Sequence, residues 1–393
     1  MWPEKISSAA GIRTECLIET FQSAGHEVWF ASAAKNTDFE KHLQDLGVRT
    51  SKVILNDSSF DLWVSELRPD AVIFDRFVVE EQFGWRVRSA CPEALRIVDS
   101  QDLHFLRLSR QKKSPLENEA TWRELASFLR SDLSYIISDA ETALLKERFN
   151  FSDDLIQTLR FYYPDPKPTP NFQSRKNFCT IGNFRHPPNY DAAFVLKQKI
   201  WPQIRSQISE AEVHLYGAYP PKEIMDLNDP KSGFIVKGWT EDSLHTLSQY
   251  RLNLAPLQFG AGIKGKISDG WYAGTPVITT PMGAEGMSGE MPFGGVVVEN
   301  QDNFAAAAVT LYQNDEQWLL AHKRGLAIIS ERFSKTTIQN ETLSRFEKQL
   351  VHKDELRKKN WMGSILWHQG NRSTEFFGRW LEAKAKLQGG STV

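Results

Sequence analysis

Cysteine is scarce in this chain of 393 residues: Cys16, Cys91 and Cys179 stand far apart, odd in number, without the paired spacing of a metal site or a disulfide framework. They are expected to be reduced packing residues. No window approaches the roughly 18 consecutive apolar residues a membrane span requires, and Met1 to Gly11 lacks the basic-then-apolar plan of a signal peptide. The expected location is the cytoplasm, where the Asn-x-Ser/Thr sites at Asn56, Asn150, Asn340 and Asn371 carry no glycan. An excess of positive charge is missing too. A formal net charge of -2 argues against a nucleic-acid partner bound through phosphate neutralisation.

What is present is the composition of a folded protein, 41% hydrophobic and 24% charged, in a chain too long for one ordinary domain. Short runs rich in Val, Ile and aromatics recur at Val28 to Ser32, Val53 to Asn56, Ala71 to Asp75, Arg96 to Asp99 and Tyr135 to Ser138. Apolar on both faces and bounded by turn residues, they read as buried parallel strands. Helical spacing at Ile12 to Ala24 and Phe60 to Leu67 supplies the alternating helices. Tyr163 to Pro170 then packs four prolines into eight residues, which excludes helix and central strand and predicts a linker. After it the pattern restarts: Phe178 to Ile181, Val213 to Tyr216, Phe234 to Val236, Leu252 to Ala255, Pro276 to Thr279 and Gly295 to Val298. The expected fold is α/β, with two Rossmann-like doubly wound domains: residues 1–165, residues 171–335, and closing helices with a basic, aromatic tail at 336–393. One irregularity stands at the front. Ser7-Ser8-Ala9-Ala10-Gly11 begins almost at Met1, so either the first strand is missing or the start is misplaced.

The chemistry concentrates in Ala255-Pro-Leu-Gln-Phe-Gly-Ala-Gly-Ile-Lys-Gly-Lys-Ile267 and the following Ser-Asp-Gly-Trp-Tyr-Ala-Gly-Thr-Pro-Val277. Glycines after a strand let backbone amides approach an anion, and a helix starting near Gly265 would aim its positive end at that anion. A diphosphate fits, with Lys264 or Lys266 adding charge and Asp269 accepting from ribose hydroxyls. The bland alternative is a glycine turn with two solvated lysines; the downstream Gly-Thr-Pro-Val-Ile-Thr-Thr run argues for function. Gly260 to Lys266 also fits the Gly-x4-Gly-Lys phosphate loop, but Ile267 stands where that loop needs a magnesium-binding hydroxyl.

Together with Phe178-Cys-Thr-Ile-Gly-Asn-Phe-Arg-His-Pro-Pro-Asn-Tyr-Asp191, Gly238-Trp-Thr, Ala273-Gly-Thr-Pro-Val-Ile-Thr-Thr280 and Gly283-Ala-Glu-Gly286, these words resemble the retaining GT-B-fold glycosyltransferases of the family-four type (group 1). The resemblance spans the second domain. It implies a nucleotide-diphosphate sugar held by the C-terminal domain, an acceptor on the N-terminal domain, and chemistry in the cleft between them. By the same resemblance the donor is held by Gly182, Arg185, Trp239, Gly260, Gly262, Ile263, Lys264, Asp269 and Glu285. Arg185 and Lys264 meet the diphosphate. Asp269 aligns with the second of two glutamates eight positions apart, the one that holds ribose; the first falls on Ala261, a departure from the pattern. Contact to the donor sugar then falls to the backbone of residues 260–264 or to Glu285.

The first domain matches less sharply. Ser7 to Arg13 resembles the N-terminal glycine loop bordering donor phosphates and acceptor, which places Gly11 and Arg13 on the acceptor side. Asp99-Ser-Gln-Asp102-Leu-His104 resembles the segment carrying a sugar-contacting histidine, with Asp102 beside it. A lone histidine is more often a packed or surface residue, though a strand end beside carboxylates favours a role. Asp75-Arg76 also ends a strand; Arg76 faces an anionic acceptor or is an ordinary surface arginine. Ser138 is read as a helix N-cap.

Cleaving a glycosyl phosphate puts negative charge on the departing diphosphate, which fixed cations and backbone amides stabilise without reorganising. Arg185, Lys264 and the glycine-loop amides can take the place of a metal ion. No Asp-x-Asp pair ends a strand of the second domain, so neither metal nor cofactor is expected beyond the sugar nucleotide. Retention of configuration is implied by the resemblance alone. From Arg345 the chain turns basic and then aromatic, through Trp361, Ile365, Leu366, Trp367, Phe376, Phe377, Trp380 and Leu381. This tail either packs back on the first domain, as apolar stripes at helical spacing more often do, or touches anionic lipid, which suits a lipid-linked acceptor. Two rivals use the same frame: a sugar-nucleotide epimerase or phosphorylase, and a catalytically silent nucleotide-sugar-binding scaffold, the latter suggested by Ala261 and the shortened front.

Overall fold

The structure is a computed structural model that describes residues 2–5, 8–35 and 38–387. Met1 and Ser7, at the front of the N-terminal motif, lie outside the described residues. Two compact units are present, one formed by Met1–Pro3, Thr14–Leu159 and Gln339–Val393, the other by Glu4–Arg13 and Arg160–Ile338.

In the first unit, β1 (Trp29–Ser32) and β2 (Arg49–Lys52) make a small parallel sheet, while β3 (Ala71–Asp75), β4 (Leu95–Asp99), β5 (Leu133–Ile136) and β6 (Ile156–Thr158) make a second, also parallel. A doubly wound sheet normally seats its first strand centrally, between the second strand and the fourth. Here residues 2–5 form no strand and the helix Ala9–Ser23 follows at once, so β1 and β3, which would flank that strand, lie in separate sheets among the described residues. The consequence is visible in burial: Ala71, Val72 and Ile73 of β3 stay partly exposed, whereas every residue of β4 is buried. Trp2 is buried with Ile18, Leu43 and Val48, against Val28 and Phe30.

One strand reading needs correction and one strand carried no reading. The second strand is Arg49–Lys52, not Val53 to Asn56: as an edge strand with one partner it can be polar, while Val53 is buried at its end and the chain reaches left-handed Asn56 (φ 55°) soon after. The three-residue edge strand β6 carries too little pattern to show in sequence.

The closing helices Lys335–Lys359 and Trp361–Leu387 return to the first unit. Arg357 forks onto Asp132 with Nε at 2.7 Å and Nη2 at 2.8 Å, and also donates to the carbonyls of Pro92 and Ala94. The buried Trp367 gives its indole N–H to Arg130 O at 2.8 Å beneath the guanidinium groups of Arg88 and Arg96.

The second unit is a single parallel sheet of β7 (Lys176–Ile181), β8 (Val213–Tyr216), β9 (Phe234–Gly238), β10 (Tyr250–Ala255), β11 (Val277–Thr279) and β12 (Gly295–Val297), ordered β12-β11-β10-β7-β8-β9. This is the full doubly wound order, with β7 and β10 neighbours at the point where the winding reverses. Phe178, Leu252, Leu254 and Ile278 bury one face against Trp201, Phe304 and Trp318. The proline-rich stretch is anchored rather than loose at its start. Tyr163 is buried, takes a backbone bond from its N–H to Phe333 O at 3.0 Å and stacks on Tyr272 at 4.8 Å.

Candidate functional site

Open α/β sheets bind ligands outside the carboxyl ends of the strands, at the winding reversal. In the second unit that point is the end of β7 and β10, and the loops leaving those strands carry the two basic words of the sequence.

After β10 the chain turns through residues 256–264, with left-handed Gly262 (φ 68°) as a position only glycine adopts without strain, and enters the helix Gly265–Tyr272. Lys264 is the N-cap residue and is almost wholly buried. Its ammonium donates to Glu285 O at 3.1 Å and lies 3.8 Å from the Glu285 carboxylate; its N–H points at Met287 Sδ. The Gly-Thr-Pro-Val-Ile-Thr-Thr run staples this loop: Thr279 Oγ1 donates to Ala255 O at 2.7 Å and Thr280 Oγ1 to Leu257 O at 2.5 Å. A Cβ at Gly283 would stand 1.9 Å from Thr279 Oγ1, so glycine is needed there for the chain to reach Glu285. Ile263 is buried, a packing residue beneath the turn.

Asp269 sits one turn into the helix, where Tyr163 donates its hydroxyl to Oδ1; the same hydroxyl lies 3.0 Å from Ser268 Oγ. Burial pushes the Asp269 carboxyl up to about 6, with the Tyr163 bond opposing the shift. Lys266, partly buried and paired with no carboxylate among the described residues, is pulled down to about 7 by desolvation. Asn253 holds the helix start by donating to Lys266 O at 2.8 Å.

On the β7 side, Gly182 lies against Asn189, whose side chain a Cβ would approach to 2.7 Å. Buried Phe184 anchors the turn, and Arg185 N–H bonds Asn183 Oδ1 at 2.9 Å, leaving the Arg185 side chain exposed. Its guanidinium stacks 3.5 Å above the ring of Tyr219, whose hydroxyl donates to Glu4 at 3.0 Å. Glu4 belongs to the N-terminal segment that also reaches the other loop: Ala9 Cβ would lie 3.1 Å from a Cβ on Gly265. The segment Glu4–Arg13 therefore touches the Arg185 side and the Lys264 side of the same unit. Gly11 is fixed by that packing, since its Cβ would fall 2.3 Å from the Glu4 carbonyl carbon, and Arg13 is fully buried. Trp239, just past left-handed Gly238, is exposed.

The first unit gathers a polar cluster at the ends of β3 and β4. Arg76 (φ 70°) and Gln101 (φ 62°) both hold left-handed backbone, strain of the kind that collects at functional sites. Arg76 pairs with Asp75 at 2.9 Å, and Gln101 Nε2 donates to Asp75 and Asp99, each at 3.1 Å. Asp102 accepts from Arg107 at 2.6 Å. His104 opens the helix His104–Lys112, its Nδ1 3.4 Å from Glu124 and 3.6 Å from Asp102. Buried Glu124 also accepts the N–H groups of His104 and Phe105, at 3.2 and 3.0 Å, and so caps that helix. Burial works against the imidazolium, but the Glu124 bond and the Asp102 and Glu124 charges outweigh it and raise the His104 pKa. Ser138 caps its helix by accepting from Glu141 N–H.

Residues 175–314 match the family model described as Glycosyl transferases group 1. The match lies within the second unit. No curated protein matches the chain. Among solved structures, Alr3699/HepE from Anabaena in complex with UDP and glucose is similar at TM-score 0.66 and 13% identity, over 87% of this chain and 97% of that one. Sucrose-phosphate synthase from Thermosynechococcus elongatus gives 0.66 at 12%, over 88% and 94%. A TarM variant from S. aureus in complex with Fondaparinux, alpha-GlcNAc-glycerol and UDP gives 0.60 at 15% over 73% of this chain, which spans 58% of the length of that protein. The shared fold is α/β with two Rossmann-like units, as in GT-B glycosyltransferases.

Four residues of these clusters escaped the sequence reading. Gln101 stands between Asp99 and Asp102, and nothing in the local sequence marks a glutamine for left-handed backbone. Glu124, Tyr163 and Tyr219 reach their partners His104, Asp269 and Arg185 across 20 or more positions, beyond any local pattern.

Proposed function

We propose that this chain is a cytoplasmic glycosyltransferase that moves a sugar, a hexose in the first instance, from a nucleotide-diphosphate sugar to a saccharide or lipid-linked acceptor, with retention and without a divalent ion. The observation that carries the reading is Lys264: a buried ammonium at the N-cap of an eight-residue helix, in the loop leaving β10 at the winding reversal of the sheet. Such a cation meets the charge that develops on the departing diphosphate, with Arg185, on the loop after the neighbouring strand β7, as the second cation of the proposal. Asp269 accepts from the ribose hydroxyls, and Glu285 or the backbone of residues 260–264 contacts the donor sugar. His104 acts with Lys264 and Arg185 as a catalytic residue and contacts the sugar, and Gly11, Arg13, Arg76 and Asp102 serve the acceptor side. The group 1 match and the UDP named for HepE and TarM favour a uridine donor.

Thermal-shift measurement against UDP-, GDP-, ADP- and CMP-sugars tests the donor class, because a ligand at about a hundred times its dissociation constant adds about 2.7 kcal/mol. Stabilisation by none of them removes the reading. A catalytically silent nucleotide-sugar binder is the second reading, favoured by Ala261 at the place of the first acidic residue. Calorimetric binding of the nucleotide without transfer to any acceptor would select it, and hydrolysis or inversion of the donor without acceptor would select a sugar-nucleotide epimerase.

A further inference from the structure

The closing helix Trp361–Leu387 has two apolar sides. One is buried on the first unit through Gly363, Trp367 and Gly378; a Cβ on Gly363 would come within 2.2 Å of Leu129 O. The opposite side faces solvent. There Trp361, Ile365, Phe376, Trp380 and Leu387 recur at intervals of 4, 11, 4 and 7 residues, each close to a whole number of helical turns, so they form one stripe. Trp361 is 63% exposed, Phe376 60% and Trp380 54%; Phe377, 60% exposed, stacks on Trp380 at 5.9 Å. Scattered exposed apolar residues are ordinary, but two apolar clusters on one helix face, Trp361 with Ile365 and Phe376 with Phe377 and Trp380, mark a surface that something covers.

Charge identifies what covers it. The helix Trp361–Leu387 carries four Lys and Arg (Arg372, Arg379, Lys384 and Lys386) against two acids, Glu375 and Glu382, and Glu382 faces the buried Arg86 at 3.7 Å, so positive charge is in excess along this helix of a chain that as a whole carries -2. Exposed Arg379 and Lys384 border the stripe, Arg379 pairing with Glu375 at 2.6 Å and Lys384 lying 5.1 Å over the Trp380 ring. A second copy docked on this stripe would bring the same basic borders together, whereas an anionic bilayer offers them opposite charge and offers the rings an apolar boundary. No helix among the described residues is long and apolar enough to cross a membrane.

We infer that the exposed face of Trp361–Leu387 lies in the plane of an anionic lipid surface, its aromatic rings at the acyl-chain boundary and its basic side chains among the headgroups. The inference stands apart from the transfer reaction, because it is read on vesicles with no donor present.

The experiment is co-sedimentation of the full chain with vesicles of phosphatidylcholine alone, and of phosphatidylcholine mixed with phosphatidylglycerol, at low and high salt. Binding is expected to the mixed vesicles and to weaken with salt. Replacing Trp361→Ser, Phe376→Ser and Trp380→Ser together is expected to lower it by at least about tenfold, with an unchanged melting curve. If that variant misfolds, Arg379→Glu with Lys384→Glu replaces it and is expected to abolish the preference for anionic vesicles. Absence of binding, equal binding by the folded variants, or a dimer in sedimentation velocity that the aromatic replacements dissociate would each overturn the inference.

Discussion

Lys264 donates its ammonium to the main-chain carbonyl of Glu285 at 3.1 Å, joining the glycine loop after β10 to the turn after β11. The cation is thus held in place before any anion arrives, and a preorganised cation stabilises developing charge without a reorganisation cost. Lys264→Ala is expected to lower turnover by roughly 100-fold, measured as transfer from the donor found by thermal shift. Undiminished transfer would remove the loop from the mechanism.

Asp269 gives the chain a pH signature. Its folded pKa of about 6 lies above the ordinary carboxyl value, so the folded state holds its proton more tightly than the unfolded chain. Stability from this group therefore falls as pH rises from about 4 to about 6. Asp269→Asn lacks the titration. Denaturant unfolding is expected to show the variant gaining on the natural chain by about 2 kcal/mol between about pH 4 and about pH 7; parallel pH curves would refute the burial argument.

His104 depends on Glu124 for its raised pKa. An imidazole with a raised folded pKa contributes stability that is fully present below its unfolded value and is lost as pH rises through the folded one. With Glu124→Gln the burial effect dominates, and the NMR titration of His104 is expected to move down. An unmoved titration would make Asp102 the controlling partner.

Gly11→Ala tests the N-terminal segment. Its Cβ would lie 2.3 Å from the Glu4 carbonyl carbon, backbone that cannot step aside. A loss of about 1–3 kcal/mol is expected, together with weaker nucleotide binding by calorimetry, because the same segment reaches Tyr219 and Gly265. Full stability in the variant would show that Gly11 does not pack against Glu4 as described.

The divided sheet of the first unit sets local stability. Amides of β1 and β2, paired in a sheet of their own, are expected to exchange faster in hydrogen-exchange mass spectrometry than those of β7 and β10, which are buried in the middle of six strands. Equal protection would mean that the first unit opens as cooperatively as the second.

The second unit was largely legible because its strands are apolar on both faces and its loops carry glycine where backbone must turn or approach closely: Val213 to Tyr216 matches β8, and the Gly260 to Lys266 word falls at the winding reversal. The first unit was less so. Arg49–Lys52 is polar because an edge strand buries little, and nothing in the local pattern showed that β1 and β3 lie in separate sheets among the described residues.

Local chemistry fixed by the sequence therefore includes the parallel α/β class, the glycine loop, the lysine at its end and the carboxylate one turn on, since period, turn preference and helix polarity act over a few residues. Tertiary structure alone decided that Tyr163 bonds Asp269, that Glu124 holds His104, that Tyr219 carries Arg185, and which side of the Trp361–Leu387 helix is covered. Those pairings join residues far apart along the chain, and burial, which sets both the pKa values and the exposed stripe, exists only once the chain has folded around them.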